Sequence, residues 1–166
     1  MKFGYRYGSG EPVEDPLRPT GAPGGRAPHV WLERDGERVS TVDLWADGLV
    51  LLAGPGDAAW TEAAARLAAR DGLPLTAYRL VEGDAPVAGR FLADREKRCA
   101  AAFGITGTGA VLIRPDGFIA WRAPETADPD AGRNAGRNAG PDAGPGTGAG
   151  AGAVLGEACR RLLATG

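Results

Sequence analysis

The stretch LVLLAGPGDAAWTEAAARL, Leu49 to Leu67, decides the fold. Its first five residues form a continuous apolar run, as expected of a central strand covered on both faces. Gly54-Pro55-Gly56 turns the chain, and Asp57 stands where a side chain can accept the orphan amide protons of a helix start. Trp60, Ala63, Ala64, Leu67 and Ala68 then recur at i, i+3, i+4, i+7 and i+8, which lines one buried helical stripe. Glu62 and Arg66 lie one turn apart on the outer face, and Gly72 stops the helix. The turn itself spells G-x-G-x-x-A between strand and helix, the position of a dinucleotide fingerprint. Such a turn can cradle a phosphate, mark the place of a lost reactive thiol, or only reverse the chain.

Working outward, LPLTAYRLV (73–81) reads as a second strand, parallel to the first because a helix separates them. Phe91, Arg95 and Cys99 at i, i+4 and i+8 predict a helix over 88–103. GAVLIRPDGFIAWRA (109–123) predicts a hairpin, with Ala110 to Ile113 and Phe118 to Arg122 joined by a Pro-Asp-Gly turn. Upstream, Val30 and Leu32 predict one short strand, Asp35-Gly36 a turn, and Val39 to Leu44 a second strand. Residues 1–28 are rich in Gly and Pro and read as an extended arm or linker. The Gly/Ala-rich tract over 125–152 has little to bury and is expected to be disordered. Val154, Leu155, Ala158, Leu162 and Leu163 recover helical spacing, so residues 153–166 are expected to return to the sheet as a last helix. The predicted class is α/β, a thioredoxin-like three-layer sandwich over 29–124 and 153–166 with an N-terminal β-hairpin extension.

Composition narrows function. A chain of 166 residues supports one domain with a real core. A net charge of -2 and the absence of any basic cluster beyond Arg160-Arg161 argue against nucleic acid. No apolar run approaches the roughly 20 residues that span a bilayer, and the N-terminus lacks a secretory h-region; a cytoplasmic location is the expectation. Cys99 and Cys159, sixty positions apart, make neither a C-x-x-C nor a zinc set of neighbours.

A dinucleotide site would need an acid about 20 residues past the glycines and a doubly wound parallel sheet. Glu82 or Asp84 fits the first loosely, but the antiparallel hairpin at Arg114-Pro115-Asp116-Gly117 contradicts the second. A redox site would need a thiolate at the helix N-terminus, where the dipole lowers its pKa. Asp57, Ala58, Ala59 and Trp60 supply none. Cys99 falls in an apolar stripe and Cys159 one residue beyond another, the ordinary setting of inert cysteine.

The runs GGRAPHVWLERDGERVSTVDLWADGLVLLAG (24–54) and FGITGTGAVLIRPDGFIAWR (103–122) resemble the C-terminal domain of FAD-dependent aromatic hydroxylases. These are flavoprotein monooxygenases of the para-hydroxybenzoate and phenol hydroxylase group, and the actinobacterial branch that oxidises aromatic polyketides is the best match. GYRYGSG (4–10) is similar to the segment leading out of the flavin and substrate domains. The resemblance implies a thioredoxin-like domain without thioredoxin chemistry. Gly54 to Trp60 replaces the Cys-containing loop, and Gly109 stands where a substrate-contacting cis-proline would be. It also implies that FAD and NADPH are used in domains outside this sequence. The chain is then expected to be a free-standing copy of the tail, a truncated product, or a subunit that works with a flavoprotein partner or with itself. No catalytic, cofactor-binding or metal-binding residue is assigned. Two other readings stay open: a thiol-dependent redox enzyme using Cys99 or Cys159, and a binder of small aromatic ligands between Gly54–Asp57 and Thr106–Gly109.

Other chemistry-bearing residues have structural readings. His29, the only histidine, shows no orienting partner for base catalysis and is expected beside Trp31. Trp31, Trp45, Trp60 and Trp121 are expected in core or interface. Arg114 and Asp116 are expected to stabilise a turn, and Asp43 to cap or to pair with an arginine.

Overall fold

The computed structural model describes residues 20–45, 47–56, 58–83, 90–124 and 150–164. The expected cap Asp57, the arm before residue 20, Asp84 and the tract over 125–149 lie outside them.

Seven strands form one mixed sheet: β1 (Trp31–Arg34), β2 (Glu37–Ser40), β3 (Leu49–Ala53), β4 (Leu75–Val81), β5 (Phe91–Ala93), β6 (Ala110–Ile113) and β7 (Ile119–Ala123). Their order is β2-β1-β5-β4-β3-β6-β7. β3 runs parallel to β4 and antiparallel to β6, with Leu51 opposite both Ala77 and Leu112. Helices α1 (Ala59–Asp71) and α3 (Ala151–Ala164) cover one face, and α2 (Cys99–Phe103) covers the other. The class is α/β, as expected, with β1 and β2 forming a hairpin at one edge of the mixed sheet.

All five residues of β3 are buried, because the strand is covered on both faces. Val50 and Leu52 meet Leu92, Val111 and Phe103 on the α2 face. Leu51 and Ala53 meet Trp60, Ala64, Leu67 and Leu155 on the α1–α3 face. The predicted α1 stripe is the one buried, Glu62 and Arg66 pair at 3.7 Å, and Gly72 ends the helix at φ +62°. β4 and the β6–β7 hairpin also form where the alternation places them.

The predicted helix over 88–103 is corrected. Phe91–Ala93 is strand β5, inserted between β1 and β4, and Arg95 is an exposed loop residue whose guanidinium holds Glu33 through contacts of 2.6 and 3.0 Å. Buried Asp94 then accepts the amide protons of Arg98 (3.2 Å) and Cys99 (2.7 Å), and α2 begins only there. A carboxylate capping two amides sets that start, and the four-residue spacing of Phe91, Arg95 and Cys99 is incidental.

The second predicted strand, Val39 to Leu44, stops at Ser40 and becomes a 3-10 turn over Thr41–Leu44. Ser40 Oγ accepts the Val42 amide at 3.1 Å, and Thr41 Oγ1 accepts from Val30 N and donates to Pro28 O. Those side-chain bonds compete with strand pairing and win. Residues 24–27, expected in the arm, are bonded to the β7 edge: Gly24 N donates to Ile119 O and Ala27 N to Gly117 O, at 2.8 and 2.9 Å. The last helix starts at Ala151, two residues earlier than expected. Among the described residues no helix is long and apolar enough to cross a membrane.

Phe103 is fully buried between α2 and the sheet. Phe103→Ala is therefore expected to cost about 3–5 kcal/mol, read as a lowered urea midpoint with an unchanged m-value.

Candidate functional site

The β3–α1 turn is met head-on by the loop that precedes β6. Gly54 N donates to Gly109 O at 2.9 Å and Gly56 N donates to Gly107 O at 2.6 Å. A Cβ on Gly54 would sit 2.4 Å from Gly107 O and 2.5 Å from Thr106 O; on Gly109 it would sit 2.2 Å from Pro124 O. Glycine is required at both positions because two backbones touch there. Thr106 fastens the loop from behind, with its amide and hydroxyl both donating to Pro124 O at 2.7 and 2.8 Å. Trp60 closes the side: its indole N–H donates to Thr108 O at 2.9 Å while its ring packs edge-on against Trp121. Arg79, from β4, donates to Pro55 O at 2.7 Å.

A phosphate cradle presents convergent free amides. Here the Gly54 and Gly56 amides are spent on carbonyls, and the space beside Gly54 is filled by carbonyl oxygens, which repel anions. The turn therefore does not fit the pyrophosphate of FAD or a nicotinamide dinucleotide. The glycines that were expected to leave room for a small ligand instead admit the facing loop. Glu82, one of the two candidate ribose acids, pairs with Lys97 at 2.8 Å.

The two thiols are in settings that suppress their chemistry. Both are fully buried, Cys99 on the α2 face and Cys159 on the α1–α3 face, so the sheet separates them. Cys159 lies inside the buried stripe of α3, a correction to the expected position one residue beyond it. Burial, aided by the nearby Asp94 carboxylate, pushes the Cys99 thiol far above its ordinary range. Burial and Asp71 also raise Cys159, opposed in part by Arg160. A raised pKa keeps a thiol neutral and non-nucleophilic.

The remaining candidates are dispersed. His29 is exposed and packs edge-on against Trp31, ring centroids 5.0 Å apart, and Arg38 stacks 4.4 Å over the same indole. Trp45 is buried, whereas Trp31 is 45% exposed. Arg114 and Asp116 pair across their turn, and Asp116 also accepts the Phe118 amide. Asp43 is exposed in the 3-10 turn that Ser40 caps. Among the described residues no three His, Cys, Asp or Glu side chains gather as a metal site.

Sequence reasoning missed Arg79. A lone arginine in the apolar strand LTAYRLV was the available signal, since burying its head requires a specific acceptor.

Residues 20–139 match the family described as aromatic-ring hydroxylase, C-terminal. Tetracenomycin B2 monooxygenase-dioxygenase of Streptomyces olivaceus is 50% identical over 133 residues, covering 75% of this chain and 23% of that protein. Aklavinone 12-hydroxylase of Streptomyces purpurascens is 48% identical over 115 residues, 69% of this chain and 20% of that protein. A crystal structure of aklavinone-11 hydroxylase with FAD and aklavinone superposes with a TM-score of 0.74 at 38% identity, over 97% of this chain and 26% of that one. The chain thus spans about a quarter of the length of the relatives it matches.

Two predictions follow from the site. Gly54→Ala forces a methyl onto two carbonyls and is expected to cost about 3 kcal/mol, whereas Gly107→Ala, which meets nothing within 4 Å, is expected to stay within about 0.5 kcal/mol; thermal unfolding of both variants checks this. Because the Cys99 pKa is higher folded than unfolded, its stabilisation is complete below the unfolded value near 9 and is lost as pH rises towards the folded one. From pH 9 to 10 the wild-type unfolding free energy from urea titration should therefore fall more than that of Cys99→Ala, by about 1 kcal/mol.

Proposed function

The chain belongs to the aromatic-ring hydroxylase C-terminal family, and on that premise we propose that it serves as the C-terminal domain of an FAD-dependent hydroxylase of aromatic polyketides. In this reading it contributes no reacting group. It docks on the flavin-bearing portion and stabilises the assembled enzyme, either covalently joined to it or as a separate subunit. Flavin supplies the oxygen chemistry of such enzymes, and it is held elsewhere.

One observation carries the non-catalytic part of this reading: the turn that could hold a phosphate or a thiol is sealed by backbone hydrogen bonds from Gly54 and Gly56 to the facing loop. The suppressed thiols support it, because a redox role for Cys99 or Cys159 would need a nucleophile near neutral pH. The substrate class is supported by the relatives that act on tetracenomycin and aklavinone. A cytoplasmic site of action accords with a flavoprotein partner fed by soluble NADPH.

The test is a graft. This chain replaces the matching region of aklavinone 12-hydroxylase, and FAD content and aklavinone hydroxylation are measured. Retained flavin and turnover are expected, and unchanged after Cys99→Ala and Cys159→Ala together. A graft that folds but forms product only with the cysteines present would overturn the non-catalytic assignment, and one that loses flavin would overturn the docking role.

A further inference from the structure

Helix α1 packs on β3 and β4, and α3 packs on α1 and β7, so this helical layer stops short of the β5 end of the sheet. Beside α1 the step leaves a groove of about 440 Å³, with Ala65 and Ala68 on one wall, Leu75 on the floor, and Arg79, Arg90 and Phe91 along the far side. Phe91 is 38% exposed although it sits in a strand between two others.

The charge in this groove is one-sided. Its charged lining residues are Arg79, in β4, and Arg90, just ahead of β5, whose backbone carbonyl accepts the Arg79 amide at 2.9 Å. Neither has an acidic partner among the described residues, unlike Arg66, Arg70, Arg95, Arg98, Arg114 and Arg161, each paired with a carboxylate. Arg79 is held in place by Pro55 O, yet its Nε is buried without a hydrogen-bond partner. A half-buried guanidinium fixed at one end and unsatisfied at another is costly in isolation, and a carboxylate would offset that cost. The alanine walls and exposed Phe91 ask for apolar cover beside it.

We infer that this groove is the surface on which the flavin-bearing portion of the hydroxylase docks, through a carboxylate side chain that meets Arg90 and Arg79 while an adjacent apolar residue covers Phe91. This rests on the domain reading above. Charge complementarity selects the occupant's chemistry: two cations with no anion among the described lining residues disfavour a second copy placing the same groove on itself, since like charges would face each other. Aromatic and arginine residues together at a desolvated patch are the common makings of an interface hot spot.

The probe is tetracenomycin B2 monooxygenase-dioxygenase shortened by the region that matches this chain, retaining its flavin absorbance, mixed with the full chain. Calorimetry and hydrogen exchange read the complex. Binding is expected to slow exchange in α1 and β5, and Arg90→Glu and Ala65→Arg should each weaken it about tenfold or more, with Arg90→Lys close to wild type and affinity falling as salt rises. Arg161→Glu, on α3 away from the groove, should change little. Circular dichroism confirms that each variant is folded. Tight binding with no loss in Arg90→Glu or Ala65→Arg sinks the groove assignment while leaving the domain reading intact. No binding by wild type, together with loss of flavin in the graft, overturns both. Self-association of the chain alone that Arg90→Glu abolishes assigns the groove to a second copy and overturns the inference.

Discussion

Two backbones in direct contact organise this domain. Where the β3–α1 turn meets the loop before β6, Gly54 and Gly56 donate to Gly109 and Gly107, and the facing loop leaves no room for a side chain at Gly54, while Pro124 leaves none at Gly109. That closure joins the parallel β3–β4 half of the sheet to the antiparallel β6–β7 half at one end. Trp60 reinforces it by spanning the gap, with a hydrogen bond at its polar edge and Trp121 against its ring. A strand–turn–helix unit elsewhere offers its amides to a ligand; here the Gly54 and Gly56 amides are bonded to the facing loop.

The same economy appears in the core. β3 separates two apolar clusters, and each cluster buries one cysteine on its own side. The sheet keeps the two thiols apart, and burial raises the pKa of each. What the domain exposes instead is surface: an indole stacked under Arg38 on the hairpin extension, and an arginine-lined step beside α1.

Legibility followed the strength of the local pattern. β3, α1, β4 and the β6–β7 hairpin were readable because apolar runs, helical periodicity and turn residues agreed with one another. The β5–α2 region was not. Phe91, Arg95 and Cys99 mimic one helical face, but β5 exists only because β1 and β4 flank it, and α2 starts only where Asp94 reaches its amides. Thr41 misled in the same way: β-branched, it looks like strand, yet its hydroxyl joins Pro28 to Val30. In each case a side chain bonded to backbone overrode the propensity of the segment.

By itself the chain's order of residues determined the α/β class, the buried stripes and the lack of a cysteine at the turn, since these depend on composition and on periods of two and 3.6 residues. It also carried the family resemblance. Only the tertiary structure decided what the glycines at 54, 56 and 109 are for. A glycine that admits a phosphate and one that admits another strand of backbone are identical in sequence, and they differ in what arrives from more than fifty residues away. The neighbourhood of Arg79 was settled in the same way, because whether an arginine is matched or left wanting depends on partners that the fold alone brings near.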